Sequence, residues 1–466
     1  MALQEGRYGL TYTTARPEAV EAFDGMVTSY LGFGRDIGDR LKQVFAADPD
    51  MPLAHVAKGY LFKLFGSGAM AERAKKVLAE AKTRAETHGV TEREALHLAA
   101  LEAWCAEDVD RTTACWERAV LEYPKDALAL RLAHFNHFYA GEGRMMRDST
   151  ARVLPDWSKD DPDYGFLLGM HAFGLEEAGD YAAAEPFGRE AVERNPADAW
   201  AVHAVAHIME MQGRHREGVD WVAGLERDWS ATNNFRFHLY WHQALFHLER
   251  GEIDAVLALY DRQIASDLDA DMYLDVCNGA SLLWRLEMYG VDVGDRWKEL
   301  ARVSLRHAED HELIFVSLHY LMALIKGGEA QAAATLASHL ESYANAATTQ
   351  GRVAARVGTA TAEAMAALAR GDAATVVEAL YPVRYDLYCM GGSHAQRDVF
   401  EEMLVTAAVE ADPMLARALL AERTAAKPNS AWSWGKYAAA LKATGRDQAA
   451  DLAQARAAGL LSAAAG

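Results

Sequence analysis

Residues 165–198, GFLLGMHAFGLEEAGDYAAAEPFGREAVERNPAD, decide the fold. Their spacing predicts a helix over 165–178, a turn at Gly179-Asp180 and a second helix over 181–194. Asp180 is placed to cap the second helix. Asn195-Pro196 stops it, because the residue before a proline is pushed out of the α region. Ala184 and Ala191 let helices approach closely, and Tyr181 can fill the gap between units. Working outward, a glycine follows an apolar helical stretch at Gly141, Gly179, Gly213, Gly251, Gly290, Gly327 and Gly371, at intervals of 34 to 44 residues, and again at Gly445. Ala, Leu, Glu and Arg dominate between these breakers, and few windows alternate with period two.

The unit resembles a tetratricopeptide repeat. Residues 112–124, TTACWERAVLEYP, repeat its second half, as does the C-terminal 432–459 stretch beginning WSWGKYAAALKATGRD. One such helix pair cannot bury its apolar stripe alone, so pairs must stack and share a core. The expectation is an all-α fold: an α-solenoid of tetratricopeptide-like helix pairs wound as a right-handed superhelix. Length alone would suggest about three domains at roughly 150 residues each. The repeat replaces them with a single solenoid over 1–466, with irregular helices at 1–95, regular pairs at 96–380 and C-terminal pairs at 381–466.

The chain has 466 residues, 51% of them hydrophobic, with a formal net charge of −20. That composition excludes a disordered chain. The acidic balance argues against a nucleic-acid partner, because phosphate recognition needs clustered Lys and Arg, and against a membrane surface. Neither a signal peptide nor a membrane-length apolar run is evident. Cys105, Cys115, Cys277 and Cys389 form no CxxC pair and read as free thiols, so the expected compartment is the cytoplasm. The Ala-rich 353–374 stretch could pack within the solenoid or form a homo-oligomer contact.

Stacks of this kind put the first helix of each pair on the concave wall, where polar groups from successive helices meet. Counting back from each turn glycine gathers His171, His203, His207, His238, His242, Asn278, Ser281 and His319 on these helices. Two consecutive helices carry HxxxH: His203-Ala-Val-Ala-His207 and His238-Leu-Tyr-Trp-His242. Spacing i, i+4 sets both imidazoles of a pair on one face, as a shared divalent metal needs, with His203, His207 and His242 as ligands. The first pair lacks the glutamate of HExxH, since Ala204 stands there. Metal-free acid–base work and hydrogen bonding between packed helices are the alternatives. Glu210, one turn beyond His207, could orient it or join a metal; Asp275 is either a helix cap or a base at the mouth of the groove. Tyr240 and Trp241 could line a pocket for a small molecule. Arg285 and His247 read as structural.

Downstream, Tyr388-Cys389-Met390-Gly391-Gly392-Ser393-His394-Ala395-Gln396-Arg397-Asp398 forms a flexible turn leading into a helix over 398–409, able to fold across the groove and bring Arg397 to a bound molecule. It is neither a phosphate loop nor G-x-S-x-G.

Four ordered blocks, HAFGLEEAGD…GVDW at 171–221, NFRFHLYWHQALFHLERGEIDAVLALYD at 234–261, SLLWRLEMYGVDVGDRW at 281–297 and GGSHAQRDVF at 391–400, together resemble the tetratricopeptide repeat protein 38 family over nearly the whole chain. The resemblance implies a tetratricopeptide-like helical fold and brings no assigned catalytic residues. Function therefore rests on the histidines. The leading expectation is an enzyme acting on a small organic substrate by hydrolase- or lyase-type acid–base chemistry, with catalytic His203, His207, His238, His242, Glu210 and Asp275, substrate-binding His171, Tyr240, Trp241, Asn278, Ser281, His319 and Arg397, and a divalent metal ion as the one candidate cofactor. The alternative is a non-catalytic scaffold that holds a peptide or protein partner in the groove.

Overall fold

The computed structural model describes residues 2–465. A short antiparallel hairpin, Leu3–Glu5 with Thr11–Thr13, opens the chain, and helices follow to its end. They pack as consecutive antiparallel pairs, so the protein is an all-α solenoid of tetratricopeptide-like units. The deciding stretch folds as Tyr164–Glu177 and Tyr181–Arg194. Asp180 does sit at the N-cap of the second helix, but its side chain makes no capping bond. Asp198 performs that role one unit later, accepting from the amides of Trp200 and Ala201.

The breaker glycines take left-handed or otherwise positive φ, as a helix end requires, with one shift of register. Gly328, not Gly327, carries the positive φ of its turn. Gly327 is needed for a different reason: a Cβ there would lie 2.2 Å from the Ala301 Cβ. At the Ala-rich stretch, Ala354, Ala364 and Ala367 are buried within the chain. These residues contribute to the chain's own core.

The first helices of successive pairs line up as an inner wall. Ala199–Gln212 packs between Tyr164–Glu177 and Phe235–Glu249, and Tyr273–Met288 and Ile314–Lys326 continue the row. One contiguous core runs from Tyr12 to Ala440.

Both ends of the chain fold back onto this wall. Pro17–Leu31 packs against Ala127–Tyr139. The Phe33 carbonyl accepts from the Asn233 amide at 2.8 Å, the Phe33 ring stacks on Phe235 at 4.2 Å, and Arg35 donates to the Thr232 carbonyl at 2.8 Å. Lys63 pairs with Glu312, closing the Pro52–Lys63 helix onto the far side of the row. From the other end, His394–Ala411 lies against Ala199–Gln212 and Tyr273–Met288. This helix begins four residues earlier than the sequence suggests, because Ser393 and Gln396 form a capping box. The Ser393 hydroxyl is thereby committed to the Gln396 amide.

Candidate functional site

Two pairs of imidazoles meet on the inner wall. A helical pitch of about 5.4 Å puts His203 under His207 on one helix and His238 under His242 on the next. The ring centroids are 4.3 Å apart for His203–His207, 4.8 Å for His238–His242, 4.9 Å for His203–His238 and 4.4 Å for His207–His242. Phe173 closes one side, 5.0 Å from His203, and Trp241 stacks on His238 at 5.1 Å. His207 and His242 are 0% exposed, His203 2% and His238 3%.

Burial, reinforced by neighbouring imidazoles, holds His203, His207 and His242 well below the usual histidine range. Burial also pushes His238 down to about 4, against a hydrogen bond to Asn278 that works the other way. All four are therefore neutral at pH 7. His238 Nδ1 lies 2.7 Å from Asn278 Oδ1, and its Nε2 lies 3.1 Å from His203 Nε2. The remaining ring nitrogens, His203 Nδ1 and both nitrogens of His207 and His242, have no hydrogen-bond partner. Hydrogen bonding between packed helices does not account for them.

Beside this cluster lies a cavity of about 710 Å³. Its inner wall comprises Phe135, Tyr139, Trp200, Phe235 and Tyr273, with His203 and His238 among them. Its outer wall is the folded-back N-terminal segment, with Phe33, Phe45, Phe62 and Phe65, and Gln396 reaches it from the C-terminal helix. Lys42 and Lys58 are the charged residues of its lining.

The structure unites His203, His207, His238, His242, Asn278 and Trp241. The other predicted residues lie outside this cluster. His171 Nδ1 pairs with Thr150 Oγ1 at 2.9 Å, and burial pushes it down to about 4. His319 Nδ1 donates to the Phe315 carbonyl at 2.7 Å. Ser281 bonds the Asn278 carbonyl of its own helix. Tyr240 donates to Glu226 at 2.6 Å and packs on Trp229. Arg397 donates to the Gly392 carbonyl and lies 3.9 Å from Glu177. Asp275 is not a cap: it sits in the first turn, accepts from Asn234 at 2.7 Å, and burial pushes it up to about 7. Glu210 borders a small cleft with Glu249, Arg285 and Asp398, and burial likewise pushes it up to about 7. The carboxylate beside His207 is instead Glu176, 3.7 Å from Nδ1. His247 is structural, its Nδ1 2.5 Å from Glu252, and Arg285 donates to the Ala395 carbonyl at 2.8 Å.

Glu176 and most of the cavity aromatics escaped sequence reasoning. One signal pointed to two of them. Trp200-Ala-Val-His203 and Phe235-Arg-Phe-His238 repeat an aromatic three residues before a histidine, which places ring and imidazole on one helix face.

No protein-family profile matches the chain. Among solved structures, human IFIT1, determined as a dimer with m7Gppp-AAAA, is 13% identical, with 87% of this chain and 89% of that chain covered and a TM-score of 0.39. The Naa15/Naa10 complex bound to HypK-THB gives 13% identity, 94% and 68% coverage and a TM-score of 0.25. The P58(IPK) TPR domain gives 12% identity, 80% and 97% coverage and a TM-score of 0.22.

The expectation of a histidine-based hydrolase or lyase is thus corrected. Burial disfavours the imidazolium that general acid–base catalysis must form, so these histidines are poor proton shuttles near pH 7. Glu210 and Asp275 do not orient them: Glu210 borders the Arg285 cleft, and Asp275 accepts from Asn234. The binding-scaffold alternative keeps its footing, because the inner wall carries an aromatic cavity.

Proposed function

We propose that the chain is a non-catalytic scaffold that holds an apolar segment of a peptide or protein partner in its concave cavity. The observation carrying this reading is the cavity of about 710 Å³ between the inner wall and the N-terminal helices. Aromatic rings on both walls offer large anchoring area at little conformational cost, as at binding hot spots. Phe235 is fixed by its stack on Phe33, so the inner wall is preorganised. Lys58 favours a partner with an acidic residue beside the apolar anchor, whereas Lys42 is already paired with Asp39. The acidic surface, with its net charge of −20, speaks against a polyphosphate or nucleic-acid partner.

The same proposal treats residues 1–466 as one unit, since the cavity joins residues as far apart in sequence as Ser29 and Gln396. It places the chain in the tetratricopeptide repeat protein 38 family on the four ordered blocks, and in the cytoplasm on its four free cysteines. Among the described residues no helix is long and apolar enough to cross a membrane.

The test is selection of peptides from a displayed library by the purified full chain, followed by fluorescence anisotropy. Peptides with aromatic or aliphatic anchors next to an acidic residue should bind saturably. Phe235→Arg and Phe62→Arg should each weaken them at least tenfold with helicity unchanged. Failure to select any peptide, or equal binding by both variants, overturns the reading.

A further inference from the structure

We propose that His203, His207, His238 and His242 form a closed, four-nitrogen site for a divalent transition metal of the zinc class, tying the Ala199–Gln212 and Phe235–Glu249 helices together. This goes beyond the scaffold reading and does not depend on it. Each histidine offers one ring nitrogen such that the four atoms lie within 4.8 Å of one another. Metal–nitrogen bonds of about 2.0–2.1 Å in a tetrahedron set the nitrogens about 3.3 Å apart. The His203 Nε2–His238 Nε2 separation is already 3.1 Å, so the set needs contraction on its longer edges rather than rebuilding.

Three further observations fit a metal. His207 and His242 each bury both ring nitrogens without a partner, and ligation would take up one nitrogen of each, beside His203 Nε2 and His238 Nε2. Asn278 Oδ1 accepts from His238 Nδ1, which fixes the tautomer that leaves Nε2 free to ligate. Glu176, 3.7 Å from His207 Nδ1, stands where a carboxyl group orients a ligating imidazole. The donor set is all imidazole, which suits zinc, copper, nickel or cobalt and not calcium or magnesium. Four protein ligands leave no open position, so the ion would be structural. His203 and His238 also border the cavity, so the ion would stiffen its inner wall.

The test is titration of the chelator-treated full chain with Co(II) alone, read by visible absorption, then displacement by Zn(II). The expected result is one ion per chain, with the intense bands of tetrahedral cobalt lost on adding zinc. His207→Ala and His242→Ala should lower affinity at least 100-fold, whereas His171→Ala, a buried histidine outside the cluster, should match the natural chain. Because an alanine variant can misfold, the natural chain decides independently: a folded protein without stoichiometric cobalt binding overturns the site. So do tetrahedral bands that persist in folded His207→Ala and His242→Ala. Peptide binding is measured separately, so failure here leaves the scaffold reading to its own experiment.

Discussion

His238 Nδ1 donates to Asn278 Oδ1 across 2.7 Å, joining two neighbouring inner helices through one imidazole in a setting almost free of solvent. Asn278→Ala should leave that donor buried and unpaired, costing about 1–3 kcal/mol in urea unfolding. Ser281→Ala, which removes only a 3.3 Å bond within one helix, should cost under about 1 kcal/mol. Equal losses would mean that the interhelical bond is not special.

Asp275 makes stability depend on pH. Burial, opposed by the Asn234 amide, pushes its carboxyl up to about 7, whereas an unfolded aspartate titrates near ~3.9. A raised folded value favours the protonated form. Its contribution is full below about pH 4 and is lost as the pH rises toward 7. Asp275→Asn removes this titration. The variant should therefore gain stability relative to the natural chain between pH 4 and 7, by up to on the order of 4 kcal/mol, and then level off. Urea midpoints at several pH values check this; a flat difference contradicts it.

Lys63 and Glu312 clasp the Pro52–Lys63 helix over the cavity, both nearly withdrawn from water. Glu312→Ala strands a buried ammonium and should cost about 3–5 kcal/mol. The double change Lys63→Met with Glu312→Leu should recover at least half of that loss, because an apolar pair replaces a buried ion pair at little cost. Thermal or urea unfolding of the three chains reads the result; no recovery would show that the pair itself is indispensable.

Gly391 holds the Arg384–Met390 turn against the inner wall at positive φ, where a Cβ would meet the Tyr139 carbonyl oxygen at 2.5 Å. Gly391→Ala is both strained and overpacked, and should cost about 1–3 kcal/mol. Gly179 also has positive φ but open space around it, so Gly179→Ala should cost only the backbone share. Comparing their unfolding midpoints separates the close approach from the dihedral.

Much of this architecture was legible because it is local. Tyr181–Arg194 follows from the Gly179 turn, the alanine spacing and Asn195-Pro196, and the HxxxH spacings placed each histidine pair on one face. What escaped depends on long-range geometry. Glu210 follows His207 by three residues, yet it faces the Glu249 and Arg285 cleft, while Glu176 arrives from the preceding unit. No local pattern announces that Phe33 will stack on Phe235, 202 positions downstream, or that Gln396 will reach the same cavity. The chemistry was misread for a related reason: exposure, which spacing does not report, decides whether an imidazole titrates near neutrality.

Hydrogen exchange of the full chain with and without a selected peptide tests the central claim most directly. The account predicts slowed exchange in Pro17–Leu31, Pro52–Lys63 and the first turns of Phe235–Glu249, which enclose the cavity, with the outer helix Tyr181–Arg194 unchanged. Protection confined to outer helices, or none at saturating peptide, would contradict it.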